Sequence, residues 1–181
     1  MAENEATNGG IGGGNGSGNG SLEGANGDGL AVGPTAGVLA QYVKDLSFEN
    51  PNAPVVYQWQ GQPQVDVQFN IGSKKVADEI WEVALKIEAT ARADQGVAFA
   101  VELVYAGLFA LRNVEEAATE PFLLTEAPRI LFPFARRIIA DATRDGNFPP
   151  LMLEPIDFAA LYQQQLMGAG QAGAQGAIGQ A

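Results

Sequence analysis

From Tyr42 onward, apolar and polar residues alternate in four segments with the two-residue period of a half-buried strand. In Tyr42–Glu49, Tyr42, Leu46 and Phe48 fall on one side with Lys44, and Val43, Asp45, Ser47 and Glu49 on the other. In Val65–Ile71, Val65, Val67, Phe69 and Ile71 alternate with Asp66, Gln68 and Asn70. Glu79–Ala91 is the cleanest case: Trp81, Val83, Leu85, Ile87 and Ala89 against Glu82, Lys86 and Glu88. Val97–Tyr105 differs. Its row Val97, Phe99, Val101, Leu103, Tyr105 is backed by Ala98, Ala100, Glu102 and Val104, so neither side is strongly polar. Such a strand must be covered on both faces, either by the chain's own helices or by a second subunit. Because the helical segments all follow the strands and so cover one face, a subunit interface is expected here, with Val101, Leu103 and Tyr105 as its candidates.

After these segments the period changes. Asn113 followed by Glu116 resembles a capping box, and "EEAATEPFLL" opens with acids where a helix dipole favours them. In "PRILFPFARRIIADATRDG", Ile130, Phe134, Ile138 and Ile139 form a stripe, with Arg136, Arg137, Asp141 and Arg144 off it and Gly146 as the stop. Pro133 lies either in the first turn or at a kink. "NFPPLMLEP" predicts an extended connector, after which Asp157 caps a last helix with Phe158, Leu161, Tyr162 and Leu166 facing inward. Strands first and helices afterwards predict an α+β fold with an antiparallel sheet rather than a parallel nucleotide-binding one.

The flanks carry no such pattern. Residues 1–35 are rich in Gly and Asn and predict a disordered arm. "GGIGGGNGSGNG" lacks the spacing, the Gly-Lys and the preceding strand of a phosphate loop. Residues 168–181, rich in Gly, Ala and Gln, predict a flexible tail, which leaves 36–167 as the globular domain. The N-terminus has neither the basic nor the apolar region of a signal peptide, and no run approaches the ~20 apolar residues of a membrane span. A soluble cytoplasmic protein without direct membrane insertion is expected.

Composition narrows the chemistry. The 181 residues carry a formal charge of −11, which disfavours nucleic acid and suits a basic protein partner. There is no cysteine and no histidine, so thiol nucleophiles, the usual general base and the usual zinc ligands are all absent. No D-x-D-x-D-G calcium loop occurs. No catalytic residue, metal or cofactor is expected, and the chain is not read as an enzyme.

Asp45 and Glu49 are the most suggestive acids. Four residues apart on one strand, their α-carbons should be about 13 Å apart at ~3.3 Å per residue. Paired glycosidase carboxyls need about 5 to 9.5 Å. Their repulsion through water is only about 0.3 kcal/mol, so both stay ionised. They are either a solvated strand face or a docking face for a basic partner. Arg136 and Arg137 splay by ~100° on a helix and read as solvated. Lys74-Lys75, beside Gly72 and Ser73, reads as a turn; Asp78-Glu79 and Glu115-Glu116 read as solvated or helix-start acids. In "PVVYQWQ", Val55, Val56, Tyr57 and Trp59 lie between Pro54 and Pro63, where large side chains either plug the core or line a groove.

Two blocks carry a resemblance. "YVKDLSFENPNAP" and "ILFPFARRIIADATRDGNFPPLMLEPIDFAALY" resemble the SecB family of bacterial protein-export chaperones, in the family's order and spacing, over about Tyr42 to Gln165. The resemblance implies a four-stranded antiparallel sheet with helices packed on one face, assembled as a dimer of dimers. It implies an ATP-independent holdase that keeps precursor proteins unfolded and delivers them to the SecA motor. It also implies that an acidic patch binds the basic, zinc-containing tail of SecA, with Asp45, Glu49 and Glu102 matching that patch. Ala100 stands where the family usually has leucine, and Trp59 lies two positions before the family's groove tryptophan. Tyr57 and Trp59 are the client-groove candidates. Within the same fold the alternative is a chaperone dedicated to a labile antitoxin or another specific client.

Overall fold

The structure, a computed structural model, describes residues 33–175. The Gly-rich arm expected over residues 1–35 lies outside the described residues up to position 32, and its last residue, Thr35, opens a strand. Four long strands come first: β1 (Thr35–Glu49), β2 (Gln64–Ala77), β3 (Ile80–Ala93) and β4 (Gly96–Arg112). They form one antiparallel sheet in the order β1-β4-β3-β2. Helices α1 (Glu116–Pro121), α2 (Ala127–Asp145) and α3 (Phe158–Gln175) follow, so α3 reaches into the stretch expected as a tail.

The strands are longer than their alternation suggested because their outer parts are rich in Gly and Ala, which carry little periodic signal. Cross-strand pairing supplies what the side chains do not. Lys74 and Lys75 belong to β2 and are not a turn. The turn is Asp78-Glu79, with Glu79 in the left-handed region at φ 55°.

One face of the sheet carries the core. Phe99, Val101, Leu103, Tyr105 and Phe109 of β4 lie beside Val83, Leu85, Ile87 and Ala89 of β3, beneath α2. This overturns the interface reading of Val101, Leu103 and Tyr105. They are only 2%, 0% and 8% exposed in the single chain, because the protein's own helices cover this row. The row left partly open is the reverse one, Ala100, Glu102, Val104 and Leu108, whereas Ala98, skipped in the pairing with β3, is buried with the core.

Helix α2 is also rotated from the expected stripe, of which Ile139 alone is fully buried. Its buried face is Ala127, Pro128, Leu131, Phe132, Ala135, Ile139, Ala140 and Thr143. Phe134 is exposed and stacks on Tyr105 at 6.3 Å. The physical reason is close approach: small residues let the helix sit down on the sheet at Gly107. A β-carbon on Gly107 would lie 2.8 Å from Leu131 Cδ2 and 3.0 Å from Phe109 Cε2. Pro133 is interior to α2.

The helix starts differ too. Asn113 is no N-cap; it ends β4 at φ 54°, and Glu115 precedes α1 without a side-chain cap. Pro121 lacks an N–H, and a π-helical turn over Phe122–Glu126 joins α1 to α2, with the Ala127 N–H donating to Phe122 O. Asp157 does cap α3: its Oδ1 accepts from Ala160 N–H at 2.9 Å. Phe158 is buried and Leu161 and Tyr162 are half-buried, but Leu166, expected inward, is exposed.

Candidate functional site

The uncovered sheet face takes its character from a bulge. Pairing of β1 with β4 skips a residue between Val43 and Asp45. One extra residue reverses the alternation. Tyr42 and Lys44 therefore join Asp45, Ser47 and Glu49 on the uncovered face, while Val43 joins Leu46 and Phe48 on the helix side. This corrects the sides expected for Tyr42, Val43 and Lys44. Asp45 and Glu49 keep their shared side and both are exposed.

Register then brings the acids together. Glu49 pairs with Ala100, Ser47 with Glu102 and Asp45 with Val104. Glu102 is in turn opposite Glu88 on β3. Directly opposed like charges are unfavourable, and Lys86 relieves them. Its Nζ lies 3.1 Å from Glu88 Oε1 and 3.0 Å from Glu102 Oε1. The hydrogen bond to Glu102, then that to Glu88, pushes the Lys86 ammonium above its ordinary pKa. Among the described residues Asp45 and Glu49 have no such ion-pair partner. Ala100 leaves a shallow place between Glu49 and the half-exposed Thr90.

Farther along the same face, Glu82 is 9% exposed and fully engaged. Lys44 Nζ donates to its Oε1 and Tyr42 Oη to its Oε2, both at 2.6 Å, and Lys74 Nζ lies 3.4 Å away. Those donors, Lys44 foremost and Tyr42 next, hold the Glu82 carboxyl down at about 2. Accepting that hydroxyl proton, the carboxylate pushes Tyr42 up to about 12.

The second feature lies on the helix side, at the end of the sheet. Val55–Gln58 forms a 3-10 turn in which Val56 is buried and plugs the core, whereas Tyr57 and Trp59 flank a trough of about 510 Å³. The opposite wall is the connector Phe148–Leu151, and Phe99 lines the trough from β4. Aromatic rings line up along it: Phe48–Phe99 at 5.9 Å, Phe99–Phe148 at 4.8 Å and Tyr57–Phe148 at 5.7 Å.

Polar ties hold both walls. Tyr57 Oη accepts from Asn50 Nδ2 at 2.7 Å and donates to Gly146 O at 3.1 Å. Asn52 Nδ2 donates to Val97 O at 2.9 Å. Thr143 Oγ1, on the buried face of α2, accepts from Leu151 N–H at 2.9 Å. Gly146 sits at the helix end because the Phe48 ring fills the space a β-carbon would need; the left-handed residue there is Asn147, at φ 62°.

Tyr57 and Trp59 are legible in the sequence as groove residues, whereas Phe48, Phe99, Phe148, Thr143 and Lys86 come from segments far apart in the chain and are not. Only the paired Asn50-Pro51 and Pro149-Pro150 neighbourhoods signalled connectors there. The trough contains no nucleophile or acid–base pair; it offers apolar surface and aromatic faces. Arg136 reaches Leu153 O at 3.5 Å, while Arg137 faces solvent. Among the described residues no group of Asp or Glu is placed to hold a metal ion, and no helix is long and apolar enough to cross a membrane.

Comparison with known proteins places these surfaces in context. The family described as preprotein translocase subunit SecB matches residues 31–169. The chain is 68% identical over 132 residues to the protein-export protein SecB of Zymomonas mobilis, covering 73% of this chain and 80% of that protein. It is 60% identical over 150 residues to the protein-export protein SecB of Sphingopyxis alaskensis, covering 82% and 87%. Among solved structures, a Mycobacterium tuberculosis SecB-like chaperone in complex with an antitoxin peptide shares the fold at TM-score 0.55 and 17% identity, over 67% of this chain and 87% of that one.

Proposed function

We propose a function for this chain from one premise: it belongs to the SecB family of protein-export proteins. The chain is a non-enzymatic, ATP-independent holdase of the bacterial cytoplasm, which keeps precursor proteins unfolded and hands them to the SecA motor. The observation that carries this reading is the separation of two surfaces. An aromatic trough with no reactive group lies on the helix side, and an exposed acidic array lies on the uncovered side.

Unfolded chains enter the trough between Tyr57, Trp59 and Phe148, where apolar contact accepts many sequences. The basic tail of SecA docks on Asp45, Glu49 and Glu102, with Ala100 offering less apolar contact than a leucine. The working assembly is a homotetramer, built as a dimer of dimers. Exposed Val38, Leu39, Val43 and Leu46 on the edge strand β1, and Phe134 on α2, support such burial. A tetramer multiplies weak charge contacts into avidity.

The experiment is calorimetric titration with the SecA tail and, separately, with an unfolded precursor. Asp45→Ala with Glu49→Ala should weaken the tail by about tenfold, because each exposed pair contributes roughly 0.2–1 kcal/mol. Added salt should weaken it further. Precursor binding should stay within about twofold. Lys86→Gln should tighten the tail, since Lys86 competes for Glu102 in the free chain. Equal loss of both bindings in the double variant, with assembly intact, would refute the division of labour. Protection of one client only, among several unrelated unfolded proteins, would instead indicate a dedicated chaperone.

A further inference from the structure

We propose that the client groove does not end at the aromatic trough but passes Gly61 onto the opposite face of the sheet. There, a glutamine-lined trough holds the polar stretch of an unfolded chain that adjoins the gripped apolar stretch. This rests on the reading of the aromatic trough as a client site and adds a second ligand chemistry to it.

The second trough has a volume of about 600 Å³ and is lined by Gln60, Gln62, Gln64 and Gln95. Register puts its floor on the uncovered face: Gln64 pairs with Arg92, and Asp66 with Thr90. The aromatic trough lies on the helix face, where Phe99 is part of the core. The two nevertheless adjoin, because Gly61, Gln62, Val65 and Ala93 line both. The crossing is low. Gly61 has no side chain, adopts φ 92°, and has nothing within 4 Å of where a β-carbon would stand. Ala93 presents only a methyl from the far side.

The lining identifies the occupant. A primary amide carries both donors and an acceptor, and an extended polypeptide offers one N–H and one C=O at nearly every residue. Four glutamines can therefore pair with main chain whatever the side chains are, which suits a site that must accept many sequences. Charge selects weakly here. Arg92 is set against Asp66 and Asp94, and Asp66 already accepts from Gln68 Nε2 at 3.3 Å. An uncharged polar segment fits better than an acidic or strongly basic one. At ~3.3 Å per residue, about six extended residues would span roughly 20 Å beyond the crossing.

Fluorescence anisotropy on the full-length protein tests this with two labelled peptides. One is a short block of Phe, Leu and Val; the other is the same block followed or preceded by about six Ser, Thr and Asn residues. In the unmodified protein the extension, at one end or the other, should tighten Kd about three- to tenfold. Gln64→Ala with Gln95→Ala touches only the second trough at exposed positions. It should abolish that gain while leaving the short block's Kd within about twofold. An extension that adds nothing at either end, or a gain that survives the double variant, overturns the continuation while the aromatic site stands. Failure of the short block to bind overturns both readings.

Discussion

A single carboxylate, Glu82, shows how much one residue can organise on an open sheet face. It is a nearly buried charge, and such a group is tolerable only when paired and hydrogen-bonded. Lys44, Tyr42 and Lys74 meet that demand from two other strands. Lys44 can do so because the bulge at Val43–Asp45 turns it toward this face. The carboxyl is depressed to about 2 from an ordinary 4.5, so its contribution to stability is complete above about pH 4.5 and disappears as pH falls through 2. Tyr42, raised to about 12, acts in the opposite sense: its contribution is complete below pH 10 and disappears as pH rises through 12. Glu82→Gln should accordingly flatten the acid limb of a Tm-against-pH curve between about pH 4.5 and 2 relative to the unmodified chain. An unchanged acid limb would mean that the network carries no net stability. From the sequence Glu82 was legible only as one polar position in the β3 alternation; Lys74 faces it across the β2–β3 hairpin, but its two shortest partners, Lys44 and Tyr42, lie 38 and 40 residues away and no local pattern names them.

Among the elements, α2 and β4 depend on each other most closely. The sheet supplies a glycine at position 107, and the helix supplies Leu131 and Ala135 facing the sheet. Gly107→Ala would push against Leu131 and Phe109 together. The expected cost is about 1–3 kcal/mol, typical of overpacking. Urea unfolding of the variant measures it, and a loss below about 0.5 kcal/mol would show that α2 can lift without penalty. The sequence located α2 and its stop but not its rotation. Of the expected stripe Ile130, Phe134, Ile138 and Ile139, only Ile139 is fully buried; Ile130 and Ile138 flank the buried face, and Phe134 points away from it. Strand faces met the same limit: alternation is correct along β3, and on β1 only until a bulge adds a residue.

At the scale of the whole molecule, the proposed tetramer is supported by apolar residues that a single chain leaves exposed. The edge strand β1 presents Leu39 at 56% and Val43 at 46% exposure beside unpaired backbone groups. Light scattering across a dilution series should show an assembly that persists at micromolar concentration, and Leu39→Lys with Val43→Lys should shift it toward smaller species. A monomer at that concentration in the unmodified protein would overturn the tetrameric reading. Local order in the chain was enough to establish the succession of strands and helices, the shared side of Asp45 and Glu49, and the two blocks that mark the family. Those features depend on neighbours a few residues apart, whose period and identity are written in the chain. Which strand rows meet the helices, how Lys86 screens Glu102, and how aromatic rings from distant segments line one trough were decided by folding. They depend on cross-strand register, on one inserted bulge and on close packing, all of which arise between residues that only the tertiary structure makes neighbours.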